Sequence, residues 1–527
     1  MPMLPFGEYR PDVSDLNQAY SSVITNALPR TDGYGPVKSI EVFTAVLPGP
    51  CRGYFFAHNR DGSVAIFAGT ATKLYRLDNT TFLWLDVSVG AGTYTSVDTN
   101  RNWKFAQFND FVFATQRNAV LQKYDLTSSS AFAVNPGSPP QAGNIAVVNR
   151  FIVLCDLLTN PYRIQWSGLN DTTNWTSGTN YSDFQDLPSG GIPKAVVGGE
   201  LGVILQDTEI RRMVYAPGSD VVFTIDRIHE KVGILSADAV ATADNKIYLL
   251  STKGFLMITP QGAMTPIGEE KVNRTFAALA DTAATQYIQA AADPSSGVVV
   301  WTYRNANSTL AQFDGMFAYS YYLDRWAPAT IAGEAVSTLA KPGLTLESLD
   351  ALAPGALMVT GAANNGSGLI RITVASTATL ATGNVKTLSA VGGVPNANGT
   401  WTITVISGTA FDLQSSTFAG VYTSGGVVGG SIDLLPFSLD DISTATLPAL
   451  SFFDTTHAAG FLNGPALEAT LETSEQQLAK GRRINVNGLR PVTDAATVYC
   501  ALVGRDALQG TATTGTESLV EIGRAHV

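Results

Sequence analysis

Asp61-Gly62-Ser63-Val64-Ala65-Ile66-Phe67 places a turn directly before a β-rich run, and the same arrangement returns five times downstream. The later copies are Asn109-Asp110 before Phe111-Val112-Phe113-Ala114, Asn149-Arg150 before Phe151-Ile152-Val153-Leu154, and Gly199-Glu200 before Leu201-Gly202-Val203-Ile204-Leu205. Asp244-Asn245 then precedes Lys246-Ile247-Tyr248-Leu249-Leu250, and Ser296-Gly297 precedes Val298-Val299-Val300-Trp301. Gly, Asn and Asp tolerate the left-handed backbone of tight turns, and β-branched and aromatic residues suit a pleated surface. Successive turns lie roughly 40 to 52 residues apart, the length of a four-stranded propeller blade. The stretch from Arg52 to Trp326 therefore predicts an all-β chain built on a roughly six-bladed β-propeller.

Composition agrees with that class. Of 527 residues, 45% are hydrophobic and only 15% charged, and 49 Gly and 25 Pro interrupt the apolar runs, which argues for packed strands over disorder. The formal net charge of -11 makes tight non-specific DNA binding unexpected, since phosphate affinity needs Lys and Arg, although an acidic wall lets DNA slide past. Cys51, Cys155 and Cys500 are odd in number and far apart, so each is read as a buried free thiol. Met1 to Arg10 has no basic segment followed by an apolar run, and no stretch approaches the length of a membrane span, so the expected product is soluble and made in a cytoplasm.

Outside the repeats, residues 1–50 read as an irregular N-terminal arm, dense in Pro, Gly and aromatics. Within it Phe6, Tyr9, Arg10, Asp12, Asn26, Pro29 and Tyr34 are candidate partner contacts, joined by Trp175 from the long polar loop between Trp166 and Pro188. Residues 51–365 are assigned to the propeller and 366–430 to a small inserted all-β module. The module's strands are sought at Leu369–Val374, Trp401–Val405 and Phe411–Leu413. Residues 431–520 form a C-terminal β segment that completes or packs on the propeller, including Ser438–Ile442, Gly481–Val486 and Leu489–Pro491. Glu521 to Val527 matches one frame's translation of a sequencing adapter, so a truncated reading frame is expected there.

Chemistry is sparse. His58, His229 and His457 have no partners at metal-ligand spacing, and the chain holds no phosphate loop, no H-E-x-x-H and no nucleophile elbow. Asp171, Asp183 and Asp186 lack the spacing and central Gly of a calcium loop. Tyr124, Trp166, Tyr248, Trp301 and the Tyr319-Tyr321 run are read as filling between blades in preference to sugar platforms, and the mixed charges from Arg211 to Lys231 as an ion-pair seam. No catalytic, cofactor or metal residue is assigned, and the chain is read as not an enzyme.

Phe6 to Asp12, Asn26 to Pro36 and the following Val37-Lys38-Ser39 resemble the opening of the packaged-DNA stabilisation proteins of tailed bacteriophages, also called tail hub or nozzle proteins. Residues 366–430 are similar to a small barrel-like module inserted in many phage tail proteins and related to the catalytic-cysteine-half module of ubiquitin-activating enzymes; without a cysteine in the segment, that chemistry is not implied. The resemblance implies a structural virion protein in the head-to-tail or tail hub channel, assembled as a homo-oligomeric ring with a hexamer as the expected size. Its partners would be phage adaptor and tail proteins, with packaged DNA passing without specific binding. The alternative on the same fold is a carbohydrate-binding tail adhesin or depolymerase, which needs an aromatic-and-carboxylate pocket on one propeller face.

Overall fold

A computed structural model describes residues 6–14, 19–31, 33–79, 81–219, 221–342, 356–429, 447–476, 486, 491–493, 495, 497–505 and 511–521. The expectations for Ser438–Ile442, Gly481–Asn485, Leu489–Arg490 and 522–527 lie outside the described residues.

Seven four-stranded antiparallel sheets form a β-propeller. Blades one to six are contiguous in sequence, at 54–86, 104–134, 142–186, 193–230, 240–266 and 290–329. In each, the first strand is innermost and the last outermost, and all six turns read from sequence join the first strand to the second. Asn109, Asn149, Asp244 and Asn245 take left-handed φ values of 54°, 53°, 48° and 56°, where short polar side chains cost least.

The blade count corrects the expected six. The seventh blade runs, from axis to rim, Ala335–Leu339, Ala449–Phe453, Ala459–Phe461 and Glu41–Val42. Its first turn is replaced by an insertion of more than a hundred residues, and its outermost strand comes from before blade one, so no local repeat betrays it. Strand Glu41–Val42 pairs antiparallel with Gly460 and Phe461, which closes the ring with the N-terminal chain. Gly460 is required for that closeness: a Cβ there would sit 2.5 Å from the Glu41 carbonyl oxygen.

Neighbouring blades bury their faces against each other, with aromatic residues prominent between blades one and two and between blades five and six, and aliphatic residues between blades four and five. Trp103, leading into blade two, lies over Gly69 of blade one, where a Cβ would fall 2.4 Å from the indole Cδ1. Its Nε1–H donates to the Thr70 carbonyl at 2.8 Å, so the buried indole is satisfied. Trp301 and Trp326 of blade six are both fully buried and pack about Phe255 of blade five, one edge-on and one tilted, with ring centroids 4.9 and 4.7 Å from it. Tyr124, Trp166, Tyr248 and Tyr319 are likewise buried between blades, as the sequence reading expected, whereas Tyr321 is only half-buried.

The insertion is a closed six-stranded barrel with its own core of Ile370, Ile372, Ile403, Phe411 and Leu413. Its strands run from Leu357–Asn364 to Val427–Val428, so it begins earlier than the expected residue 366. Cys51 and Cys155 are buried free thiols, pushed up by that burial, whereas Cys500 is partly exposed, contrary to expectation.

Candidate functional site

The arm folds back on blade six through short extended pieces. Ile24–Thr25 pairs with Thr470–Leu471 from far downstream, and hairpin Ala27–Arg30/Gly33–Pro36 lies against outer strand Arg325–Ala329. Asp12 caps the short helix Asn273–Leu279 from outside it: its carboxylate accepts the Arg274 N–H at 2.7 Å, the Thr275 N–H at 2.9 Å and the Thr275 hydroxyl at 2.7 Å. Asn26, at φ 55°, ties three segments together. Its Oδ1 accepts the Thr330 N–H at 2.7 Å, its Nδ2 donates to the Glu468 carbonyl at 3.0 Å, and its backbone N–H donates to the Pro328 carbonyl at 3.0 Å.

These contacts decide what the expected contact residues can reach. Tyr9, Asp12, Asn26 and Pro29 are buried against the chain itself. Trp175 is buried between blades two and three, its indole donating to the Thr172 carbonyl at 3.0 Å. Phe6 remains exposed at 47%, while Arg10, stacked 4.2 Å over Tyr20, and Tyr34, donating to the Gly7 carbonyl at 2.9 Å, are half-buried. The three aspartates of the Trp166–Pro188 loop are separated by their partners: Asp171 accepts from Thr173, Asp183 from Ser177, and Asp186 from both arms of the Arg163 guanidinium. Hydrogen bonds from Thr173 hold Asp171 below the ordinary carboxylate range. Among the described residues no group of three or more His, Cys, Asp or Glu could hold a metal ion, and no helix is long and apolar enough to cross a membrane. The charge run on blade four forms the expected seam, with Glu209 taking Arg211 at 2.5 Å and Arg227 at 3.1 Å.

What sequence reasoning missed is a polar latch across one mouth of the central channel. Lys104 and Asn102, at the start of blade two, reach Asp238 at the start of blade five, on the opposite side of the ring. Lys104 Nζ pairs with Asp238 Oδ1, Asn102 Nδ2 donates to Asp238 Oδ2 at 3.1 Å, and the same amide donates to the Gln286 carbonyl of the blade-six lead at 3.2 Å. Arg52 Nε donates to Asn102 Oδ1 at 3.1 Å, and burial lowers the Arg52 pKa. Beside the latch, Glu334 accepts the Cys51 N–H at 2.8 Å and meets His457 Nδ1 at 2.6 Å. These residues are scattered at the starts of inner strands, and no local pattern marks them.

Lys104 and Asp238 are paired off across the axis, and a cavity along the inner strands of blades four to seven is lined by uncharged side chains such as Ala241, Ala291, Ser337 and Thr338. No protein-family model and no curated protein matches the chain. Among solved structures, it is similar to an extracellular domain described as part of a one-component system from B. thetaiotaomicron, at 9% identity over 64% of this chain and 44% of that one, with a TM-score of 0.37. A quinonprotein alcohol dehydrogenase-like protein from Bacteroides thetaiotaomicron aligns at 14% identity over 53% of this chain and 66% of that one, with a TM-score of 0.33. The chain thus spans less than half the length of the first and about two thirds of the second. The fold is a β-propeller, closed at its seventh blade and carrying a barrel.

Proposed function

We propose that the chain is a structural virion protein of a tailed phage, forming part of the head-to-tail or tail hub channel as a ring and helping to retain packaged DNA. The observation that carries this reading is the closure of the propeller by chain segments far apart in sequence. Blade seven joins residues 41–42 to 449–461, and the arm is clasped on blade six by Asp12 and Asn26. Such a ring resists opening, because no blade can leave without breaking contacts made by distant parts of the chain. The resemblance of the arm and the insert to phage tail proteins supplies the place in which such rigidity is useful.

The latch refines the mechanism. With Lys104 and Asp238 joined across one mouth, DNA would not travel along a propeller axis. It would pass through the centre of a ring of copies, beside acidic surfaces that do not hold it. Phe6, the half-buried Arg10 and Tyr34, and the barrel remain as partner-facing groups. Light scattering on the purified protein, alone and with its cognate adaptor ring, tests the proposal. A defined ring complex of about six copies is expected. Monomers that ignore the adaptor would overturn it.

A further inference from the structure

The barrel carries almost no charge. In the whole insertion, residues 356–429, only Arg371, Lys386 and Asp412 are charged, in a chain that is 15% charged. Two of these neutralise each other: the Arg371 guanidinium donates to both carboxylate oxygens of Asp412, at 2.7 and 2.9 Å. The chain's excess negative charge, -11 net, therefore lies outside the barrel. Copies of this chain repel one another over the rest of their surface more than they do here.

One side of the barrel is a threonine face. Strands Val385–Ser389 and Gly399–Ser407 pair antiparallel, with Val385 opposite Thr402 and Thr387 opposite Thr400. Alternation sends Leu388 and Ile403 into the barrel core and leaves Thr387, Thr400 and Thr402 exposed and Thr404 half-buried. Val385, 64% exposed, and Ile406, 48% exposed, extend the same face. Its hydroxyls find partners within the sheet: Thr387 and Thr400 share a hydrogen bond at 3.0 Å, and the Gln414 amide donates to Thr404 Oγ1 at 2.8 Å. Polar groups already satisfied inside one subunit can be covered without losing a hydrogen bond.

We infer that this face is a contact between neighbouring copies of the chain, the barrel of one copy packing its threonine face on the barrel of the next. The inference rests on the ring reading above and gives the barrel its place in that ring. Interfaces are depleted of charge at their centres, and the barrel is the part of an acidic chain where two copies meet without like-charge repulsion. Strands spaced about 4.8 Å apart and rising about 3.4 Å per residue give this side of the barrel on the order of 300 Å², against roughly 800 Å² per partner in a standard interface. Each contact is therefore weak alone and gains strength from ring closure, in which every copy is held on two sides.

The test is sedimentation velocity of the full chain over a range of concentrations, with single variants on the face. The parent self-associates, and added salt does not weaken the association, because no charge pair holds the contact. Thr402→Glu and Thr402→Lys each weaken it about tenfold, since either sign places an unpaired charge between the copies. Thr402→Val leaves it intact, and all three variants keep the parent's thermal midpoint, as expected at an exposed position. A contact elsewhere on this acidic chain would instead be unchanged by both charged variants, or strengthened by Thr402→Lys. Either of those results, or a parent that stays monomeric at every concentration, overturns the barrel contact. Ring assembly on an adaptor is read separately by mass, so failure of this contact and failure of the ring are told apart.

Discussion

Replacing Asp12 by Ala should free the N-terminal arm from blade six. The carboxylate is buried and accepts three hydrogen bonds from Arg274 and Thr275, while the Asp12 carbonyl also takes the Arg274 guanidinium. Removing an N-cap side chain costs about 1 kcal/mol in general. Here the acceptor is charged and two backbone N–H groups would be left without it, so the expected loss is about 3 kcal/mol. Asp12→Asn keeps an oxygen for the Thr275 groups and should lose about half as much, roughly 1.5 kcal/mol. Urea unfolding gives the loss, and limited proteolysis locates it, because the arm upstream of Ala27 becomes cleavable before the blades do. A cycle with Thr275→Ala isolates the hydroxyl contact, with a coupling of about 1 kcal/mol expected. If Asp12→Ala stays within about 0.5 kcal/mol of the parent and its arm remains protected, the cap does not hold the arm and the reasoning fails.

The latch makes its own prediction: Lys104→Ala leaves Asp238 in the channel mouth without its cation and should cost about 3 kcal/mol, less in combination with Asp238→Ala than the sum of the two singles. Chemical unfolding of the four proteins measures it, and strict additivity would contradict the bridge. Glu334 is raised above its ordinary value of 4.5, chiefly by burial, so folding favours its protonated form. Its contribution is fully present below pH 4.5 and is lost as the pH rises through the raised value. Glu334→Gln should remove that component, so its thermal midpoint relative to the parent improves from acid toward neutral pH; a difference constant with pH would refute it. Finally, replacing residues 356–429 by a short Gly-Ser linker should leave the propeller folded, since the barrel has a separate core and supplies no blade strand. Loss of cooperative unfolding in circular dichroism would show otherwise.

The blades were legible wherever a hairpin is local. Asn109-Asp110 and Asp244-Asn245 sit where a chain must reverse in two residues, and their chemistry states it directly. Blade seven was not legible, because Leu339 and Ala449 are neighbours only after the barrel is set aside and Val42 is remote from Gly460 in sequence. The contact residues divide in the same way. An exposed aromatic such as Phe6 and a buried one such as Trp175 look alike in sequence, and only the packing of blades two and three separates them. Asp12 was picked out as a contact for a partner protein, whereas its carboxylate is taken up by a helix 262 residues downstream in the same chain. The latch needs Lys104 and Asp238 to face each other across a closed ring, which no spacing rule encodes.

The split seventh blade also imposes a timetable on biogenesis. The strand at 41–42 emerges from the ribosome early, but its partner at 459–461 is among the later parts of the chain to be made. Until then blades one to six form an open arc whose two end faces, later shared with blade seven, are bare. Such long-range closure is slow and leaves a nascent chain prone to pairing with its neighbours on the same message. The clasp at Asn26 waits longer still, for the carbonyl of Glu468, 442 residues downstream.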